Sequence, residues 1–338
     1  MRVLIVKMSS LGDIIHTLPA ITDAAYNVKD IKIDWVVEEA YADILDLHKH
    51  IDKVIPCKLR LWRKKPFYYK KEWLKFKEDL LSTRYDLVID AQGLLKSAFI
   101  VRQVSAPSAG YSYKSCTESI SMLAYDYKYF VPNQQHIINK TRGLFALALK
   151  YTYNSKVLDY GLKVMPESST QNKYLIFAHG TTWKNKYWPY PYWRVLAKIA
   201  HAEGIQVKLP WGNELEKEQA EKVAAGLSNT SLLPKTSLKD MAQVISKYTA
   251  VIGVDTGFVH LAAALDIPSI ELFGATDAQK VGGIGQKHII ITSGQTLKCM
   301  PCWKRKCTHK DADTYATCMH GITPARVWKL LQMNCDLH

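Results

Sequence analysis

Short apolar runs recur along this chain, each ending in small or polar residues and most followed by a helical pattern. They constrain the fold more than any other feature. Residues 3–6 (VLIV), 31–39 (IKIDWVVEE), 85–93 (YDLVIDAQG), 173–181 (KYLIFAHGT), 205–212 (IQVKLPWG), 249–257 (TAVIGVDTG) and 269–276 (SIELFGAT) are too short for core helices and rich in β-branched residues. Runs of this kind are typical of strands buried on both faces of a parallel sheet. Helical patterns such as 192–203 and 214–227 lie between them, and strands alternating with helices give an α/β fold. A chain of 338 residues is long for one core. The polar stretch 165–173 (MPESSTQNK) is the candidate linker. The expected architecture is therefore two Rossmann-like, doubly wound α/β domains, 1–164 and 174–322, facing a central cleft. A helical tail within 323–338 is a candidate to return to the first domain.

Composition narrows the functional class. A hydrophobic content of 48% with 22% charged residues excludes a disordered chain. No apolar run approaches the roughly twenty residues that span a bilayer. Between Arg2 and Lys7 only 3–6 are apolar, too few for a signal-peptide core, so a cytoplasmic protein is expected. A net charge of +14 and a pI near 9.3 call for a polyanionic partner.

The loops after the strands carry the candidate chemistry, since open α/β sheets bind ligands at their carboxyl edge. The first is KMSSLGD, with Ser9, Ser10, Gly12 and Asp13. Asp13 stands where a helix N-cap would stand, so it reads either as a cap or as a carboxylate presented to a ligand. In VIGVDTGFVHLAAALDIP (251–268) the N–H groups of Thr256, Gly257 and Phe258 open a helix and form an anion site. Gly257 lets a phosphate approach closely, and His260 lies about one turn in. A single Asp-Thr-Gly leading into a helix is not an aspartic protease. In 179–189 (HGTTWKNKYWP), Thr181, Thr182 and Lys186 suit a diphosphate; their other reading is an ordinary turn with a surface lysine. In 209–218 (LPWGNELEKE), Glu216 suits a ribose diol, or is simply part of a turn.

Residues 58–77 (KLRLWRKKPFYYKKEWLKFK) interleave nine lysines and arginines with six aromatics and one acid, Glu72. That pattern fits single-stranded nucleic acid, an anionic membrane interface, or a solvated helix with its aromatics turned inward. The lack of any nucleic-acid module favours a phosphorylated lipid or sugar. Four of seven cysteines, Cys299, Cys302, Cys307 and Cys318, are spaced C-x2-C-x4-C-x10-C. Structural zinc, free thiols and redox chemistry all remain open here, because only the first pair has common zinc spacing. Asp311-Ala312-Asp313 reads as solvated loop rather than a metal-binding Asp-x-Asp.

The stretches MRVLIVKMSSLGDIIHTLPA (1–20), DWVVEE (34–39), DAQGLLKSA (90–98), KLPWG (208–212) and VDTGFVHLAAALD (254–266) resemble the lipopolysaccharide heptosyltransferase I family, in register over nearly the whole chain. The resemblance implies a GT-B glycosyltransferase. It would transfer L-glycero-D-manno-heptose from ADP-heptose to the inner Kdo of Kdo2-lipid A with inversion, working at the cytoplasmic face of the inner membrane. It implies Asp13 as catalytic base, with Ser9, Ser10 and Gly12 positioning it and the sugar. Thr181, Thr182 and Lys186 would hold the donor phosphates, Glu216 the ribose, Asp255 the heptose, and Thr256, Gly257 and His260 the diphosphate. Arg60, Arg63 and Lys64 would meet the acceptor. The chain departs from the family pattern at Leu61 and near Thr117, where relatives carry arginine. No cofactor is implied, since Lys186 and a helix N-terminus take the place of a divalent ion. The alternatives are a heptosyltransferase II, another nucleotide-sugar enzyme of the same architecture such as an epimerase, and a nucleic-acid-binding protein.

Overall fold

In the computed structural model, which describes residues 1–164, 173–294 and 297–335, the chain divides into two units, Met1–Lys163 and Val164–His338. The expected linker falls almost wholly at 165–172, outside the described residues.

The first unit contains β1 (Arg2–Val6), β2 (Lys32–Glu38), β3 (Lys53–Cys57), β4 (Leu87–Asp90), β5 (Ser108–Tyr111) and β6 (Tyr127–Tyr129), in the order β3-β2-β1-β4-β5-β6. The second contains β7 (Tyr174–Ala178), β8 (Gln206–Leu209), β9 (Thr230–Leu232), β10 (Ala250–Val254), β11 (Ser269–Phe273) and β12 (His288–Thr292), in the order β12-β11-β10-β7-β8-β9. Every pairing within both sheets is parallel. Counted from its own first strand, each sheet has the same 3-2-1-4-5-6 order, that of a dinucleotide-binding fold. The order reverses between β1 and β4 in one unit and between β7 and β10 in the other. The loops at the ends of those four strands are therefore where a ligand is expected in each unit.

The fully apolar strands explain themselves by burial. Val3–Val6 and all of β10 are buried, with helices covering both faces. Gly253 sits where β10 meets its neighbours most closely: a Cβ there would collide with Val259 Cγ2 and lie 2.7 Å from Ala178 Cβ. Gly253→Ala is expected to destabilise the second unit by about 1–3 kcal/mol through overpacking, read as a lower midpoint in urea unfolding; an unchanged midpoint would show the contact to be slack.

One expectation is corrected here. The C-terminal helix, Pro324–Asn334, belongs to the second unit. Its Val327, Trp328 and Leu331 are buried in the same core as Trp193, Leu196 and Ala200 of the helix Tyr190–Ala202. An amphipathic helix settles on the nearest unfilled apolar surface, and the faces of the second sheet supply it.

Candidate active site

At the end of β1 the chain turns through Ser9 and Ser10 into a short helix, Leu11–Ile15. The N-cap is Ser10, not Asp13 as the sequence suggested: Asp13 is the third helical residue. Its Oδ2 accepts from both the Ser10 backbone N–H and the Ser10 hydroxyl, each at 2.8 Å. This is the reciprocal arm of a capping box. Asp13 Oδ1 lies 3.9 Å from Lys7 Nζ, and the Asp13 side chain is 41% exposed. One oxygen is thus fixed while the other faces a cation and open space.

The loop is clamped from the far side of the first switch point. Gln92 accepts from Met8 N–H at 2.8 Å and donates to the Ser9 carbonyl at 2.8 Å. Lys96 Nζ donates to Ser9 Oγ at 2.7 Å, and buried Lys7 donates to the Ala91 carbonyl at 3.2 Å. Asp90 holds the turn by accepting from Gln92 and Gly93 N–H. The sequence reading gave no role to Lys7, Gln92 or Lys96. Their signal was positional: Lys7 and Gln92 follow the ends of the first and fourth strands, and Lys96 lies in the first turn of the helix after the fourth.

Lys96 also ties the basic segment to this loop. Burial lowers its pKa, Arg60 adds to the effect, and Glu38 and Asp13 oppose it, so all four groups share one electrostatic neighbourhood. The Arg60 N–H donates to Glu38 at 3.2 Å. Arg60, Leu61, Arg63 and Lys64 are all exposed, on and just after the short helix Leu59–Trp62. Arg63 and Lys96 line a hollow of about 330 Å³ with Leu59, Leu95 and Phe99. Thr117 is exposed in the turn after β5. The aromatics of the segment divide: Trp62 and Phe76 are buried and Trp73 packs on both, while Phe67 is 94% and Tyr68 78% exposed.

The second unit presents the other set. After β7 come Thr181, half-buried, and Thr182, exposed, then a single turn Lys184–Lys186. After β10 come Asp255 and Thr256, the latter capping the helix Gly257–Ala264. The sequence reading assigned Lys186 and Asp255 to different parts of a ligand; the structure pairs them directly, Nζ to Oδ2 at 2.6 Å, both nearly buried. Thr276 Oγ1 donates to the same oxygen, and Thr181 reaches the Asp255 carbonyl at 3.5 Å. His260 Nε2 stands 3.5 Å from Asp255 Oδ1 and 3.5 Å from Glu271 Oε1. Burial alone would raise the Asp255 pKa, but His260 and Lys186 outweigh it and hold the carboxyl far below its ordinary range. For His260 burial opposes the charged form, and Glu271 and Asp255 prevail, so its pKa is raised.

Asp255, His260 and Glu271 have the donor types of a metal site, with ligand atoms within 4.8 Å of one another. With Lys186 and a protonated His260 against two carboxylates, however, the cluster is already neutral. A divalent ion would have to share Asp255 with an ammonium 2.6 Å away.

Glu216 lies in the first turn of the helix Glu214–Ala224, capped by the Asn213 side chain. It accepts from Gly212 N–H at 2.8 Å. Its carboxyl lies over Gly180, where a Cβ would come within 2.9 Å of Glu216 Cδ. The second switch point therefore gathers Thr181, Lys186, Asp255 and His260, with Glu216 beside Gly180 at the mouth of the same β7 loop.

The cysteine-rich segment is less organised. All seven cysteines are free thiols. Among the described residues no three of Cys299, Cys302, Cys307 and Cys318 bring their sulfurs within 4.8 Å of one another. Burial and then the neighbouring thiols Cys307, Cys302 and Cys299 push the Cys318 pKa up to about 12.

Comparison with known proteins decides between the sequence alternatives. Residues 73–312 match the profile of glycosyltransferase family 9 (heptosyltransferase). The chain belongs to this family. Lipopolysaccharide heptosyltransferase 1 of Pseudomonas aeruginosa is 46% identical over 318 residues, covering 93% of this chain and 89% of the relative. The Escherichia coli heptosyltransferase WaaC, solved with ADP, superposes with a TM-score of 0.85 at 36% identity, covering 99% of this chain and 100% of that one. Its structure with ADP-2-deoxy-2-fluoro heptose gives 0.83 at the same identity and coverage. This heptosyltransferase is thus a glycosyltransferase of lipopolysaccharide biosynthesis, grouped with the type 1 enzymes, and its two doubly wound units are those of the GT-B fold. The family profile begins at residue 73, so Asp13 and most of the basic segment lie outside it; the full-length relatives extend the likeness to them.

Proposed function

We propose that this heptosyltransferase moves L-glycero-D-manno-heptose from ADP-heptose to the inner Kdo of Kdo2-lipid A, with inversion and Asp13 as base. The observation that carries this reading is the Asp13 carboxylate, with one oxygen fixed by Ser10 and the other beside Lys7. A general base needs hydrogen-bond reach and a defined orientation. Asp13 takes the proton from the attacking Kdo hydroxyl as that oxygen bonds to the heptose anomeric carbon. The bond from that carbon to ADP breaks on the opposite face, and the electron pair leaves with ADP. Ser9 and Gly12 shape the loop, and Arg60, Arg63 and Lys64 pair with acceptor carboxylates and phosphates.

In the second unit Glu216 binds the ribose. Thr181, Thr182, Lys186 and the N–H groups at Thr256 and Gly257 receive the growing charge on the diphosphate, in the manner of an oxyanion hole. Asp255, ionised, orients the heptose and offsets its developing positive charge. Acceptor-dependent release of ADP tests the assignment. Kdo2-lipid A is expected to trigger release, while an acceptor already carrying the first heptose is not. The reverse preference would assign the chain to the type 2 step.

The same reading includes attachment to the anionic inner-membrane surface. Among the described residues no helix is long and apolar enough to cross a membrane. Phe67 and Tyr68 stand exposed among Lys64, Lys65, Lys70 and Lys71, an arrangement suited to headgroups. Co-sedimentation with vesicles containing anionic lipid is expected, weakened several-fold by Phe67→Ser with Tyr68→Ser and by raised salt. Equal binding of both proteins would place the contact elsewhere.

A further inference from the structure

Behind Asp255 the polar chain continues into the core of the second unit. Glu271 is a carboxylate in the middle of β11, whose five residues are all buried. Its side chain is 0% exposed, a costly position for an anion unless every lone pair is answered. Oε2 accepts from Gly283 N–H at 2.9 Å and faces His288 Nε2 at 3.1 Å. His288 Nδ1 lies 2.8 Å from Ser269 Oγ. With the Ser269 hydroxyl donating to Nδ1, the Nε2–H of His288 donates to Glu271. That leaves Oε1 facing His260 Nε2.

We propose that Glu271 is a positioning residue for the transfer: through His260 it fixes Asp255 as an oriented anion, anchored in turn by His288 and Ser269. The inference rests on Asp255 being the sugar-facing acid of the proposed function. The geometry has one economical charge assignment. Asp255 is engaged on both oxygens, Lys186 and Thr276 at Oδ2 and His260 at Oδ1. His260 Nε2 is equidistant from two carboxylates, and only a protonated ring can offset both.

The titratable and charged groups facing this imidazole include Asp255 at the end of β10, Glu271 on β11, Lys186 from the loop after β7, and, through Glu271, His288 on β12. Two anions against one directly facing cation favour the imidazolium. Without Glu271, His260 would be a neutral ring beside Asp255, and the ammonium of Lys186, already 2.6 Å from Asp255 Oδ2, would be left to offset the acid without the imidazolium. The sign of the linkage follows. A raised His260 pKa contributes stability below the ordinary value of about 6.5, and that contribution is lost as pH rises through the raised value.

The test is a histidine titration of the full chain by NMR, with the His260 signal assigned from its loss in His260→Gln. In the wild-type protein its midpoint is expected above that of free histidine, about 6.5. In Glu271→Gln it is expected to fall by about one pH unit or more. Turnover of Glu271→Gln is expected to fall about tenfold on the alkaline side of that midpoint, giving the pH profile a new descending limb, with the KM for ADP-heptose changing less than kcat. A wild-type midpoint at or below free histidine overturns the proposal with no variant needed, and so does an unshifted midpoint in folded Glu271→Gln. The titration requires neither acceptor nor turnover, so a failed transfer assay would count against the proposed reaction and not against this network.

Discussion

Asp13→Asn is expected to lower kcat about 10²–10⁴-fold while leaving ADP-heptose affinity and thermal stability close to wild type. The asparagine is the informative replacement because Asp13 has two duties. As the third residue of the helix Leu11–Ile15 it accepts from the Ser10 N–H and hydroxyl. An amide oxygen accepts those bonds nearly as well, so the helix start survives. The amide has no basic oxygen with which to take a proton. If Asp13 were only a cap, Asp13→Asn would behave as wild type in both assays, whereas Asp13→Ala would cost about 0.5–2 kcal/mol of stability. Loss of turnover without loss of stability separates the two readings, and comparable turnover in Asp13→Asn would remove the residue from the base role.

Replacing Lys186 should have the second large effect, and a compound one. Lys186→Met strips Asp255 of the ammonium at 2.6 Å in a site where the two side chains are 15% and 8% exposed. Breaking a buried pair by removing one partner costs about 3–5 kcal/mol, and solvent access at the lysine places the expected loss at the lower end. Turnover should fall about 10²–10³-fold as well, the usual effect of removing one preorganised donor to a developing anion. The double variant Lys186→Met with Asp255→Asn is expected to recover part of the stability, since no unpaired charge remains, and none of the activity. With Lys186 intact, turnover should persist in excess EDTA. An absolute requirement for a divalent ion would show that the cluster at Asp255, His260 and Glu271 does not work as the neutral ion-pair network it forms here.

Seven strands were legible in the sequence: β1, β2, β4, β7, β8, β10 and β11 each coincide with one of the short apolar runs read there. The less visible strands have local reasons. β3 contains Pro56 and lies at a sheet edge, where the missing N–H is tolerated. β5 is broken in composition by Gly110, packed under the Tyr125 ring, and β6 and β9 have three residues each at the far edges. Topology pairs the Asp255 turn with the turn after β4, each following the fourth strand of its sheet.

The residues named from type and position, Ser9, Ser10, Asp13, Thr181, Lys186, Glu216, Asp255 and His260, stand in the loops or helix starts that follow β1, β7, β8 and β10. Polar residues inside strands were not legible in this way. Glu271 sits in SIELF, where burial at every position hides an acid among apolar neighbours. His288 opens β12, and neither sequence is near Asp255. Lys7 read only as a charge flanking a short apolar run, yet it is buried with its ammonium 3.9 Å from Asp13. The C-terminal helix was misplaced because an amphipathic pattern names a face to bury and not the surface that receives it.

The central claim is the proposed one: a single inverting transfer with Asp13 as base. Its most direct test is the product itself. Kdo2-lipid A incubated with ADP-heptose and the wild-type protein should gain the mass of one heptosyl residue, and NMR should place it on the inner Kdo with the anomeric configuration opposite to that of the donor. A retained configuration, or no added heptose with folded protein and intact donor, would contradict the account.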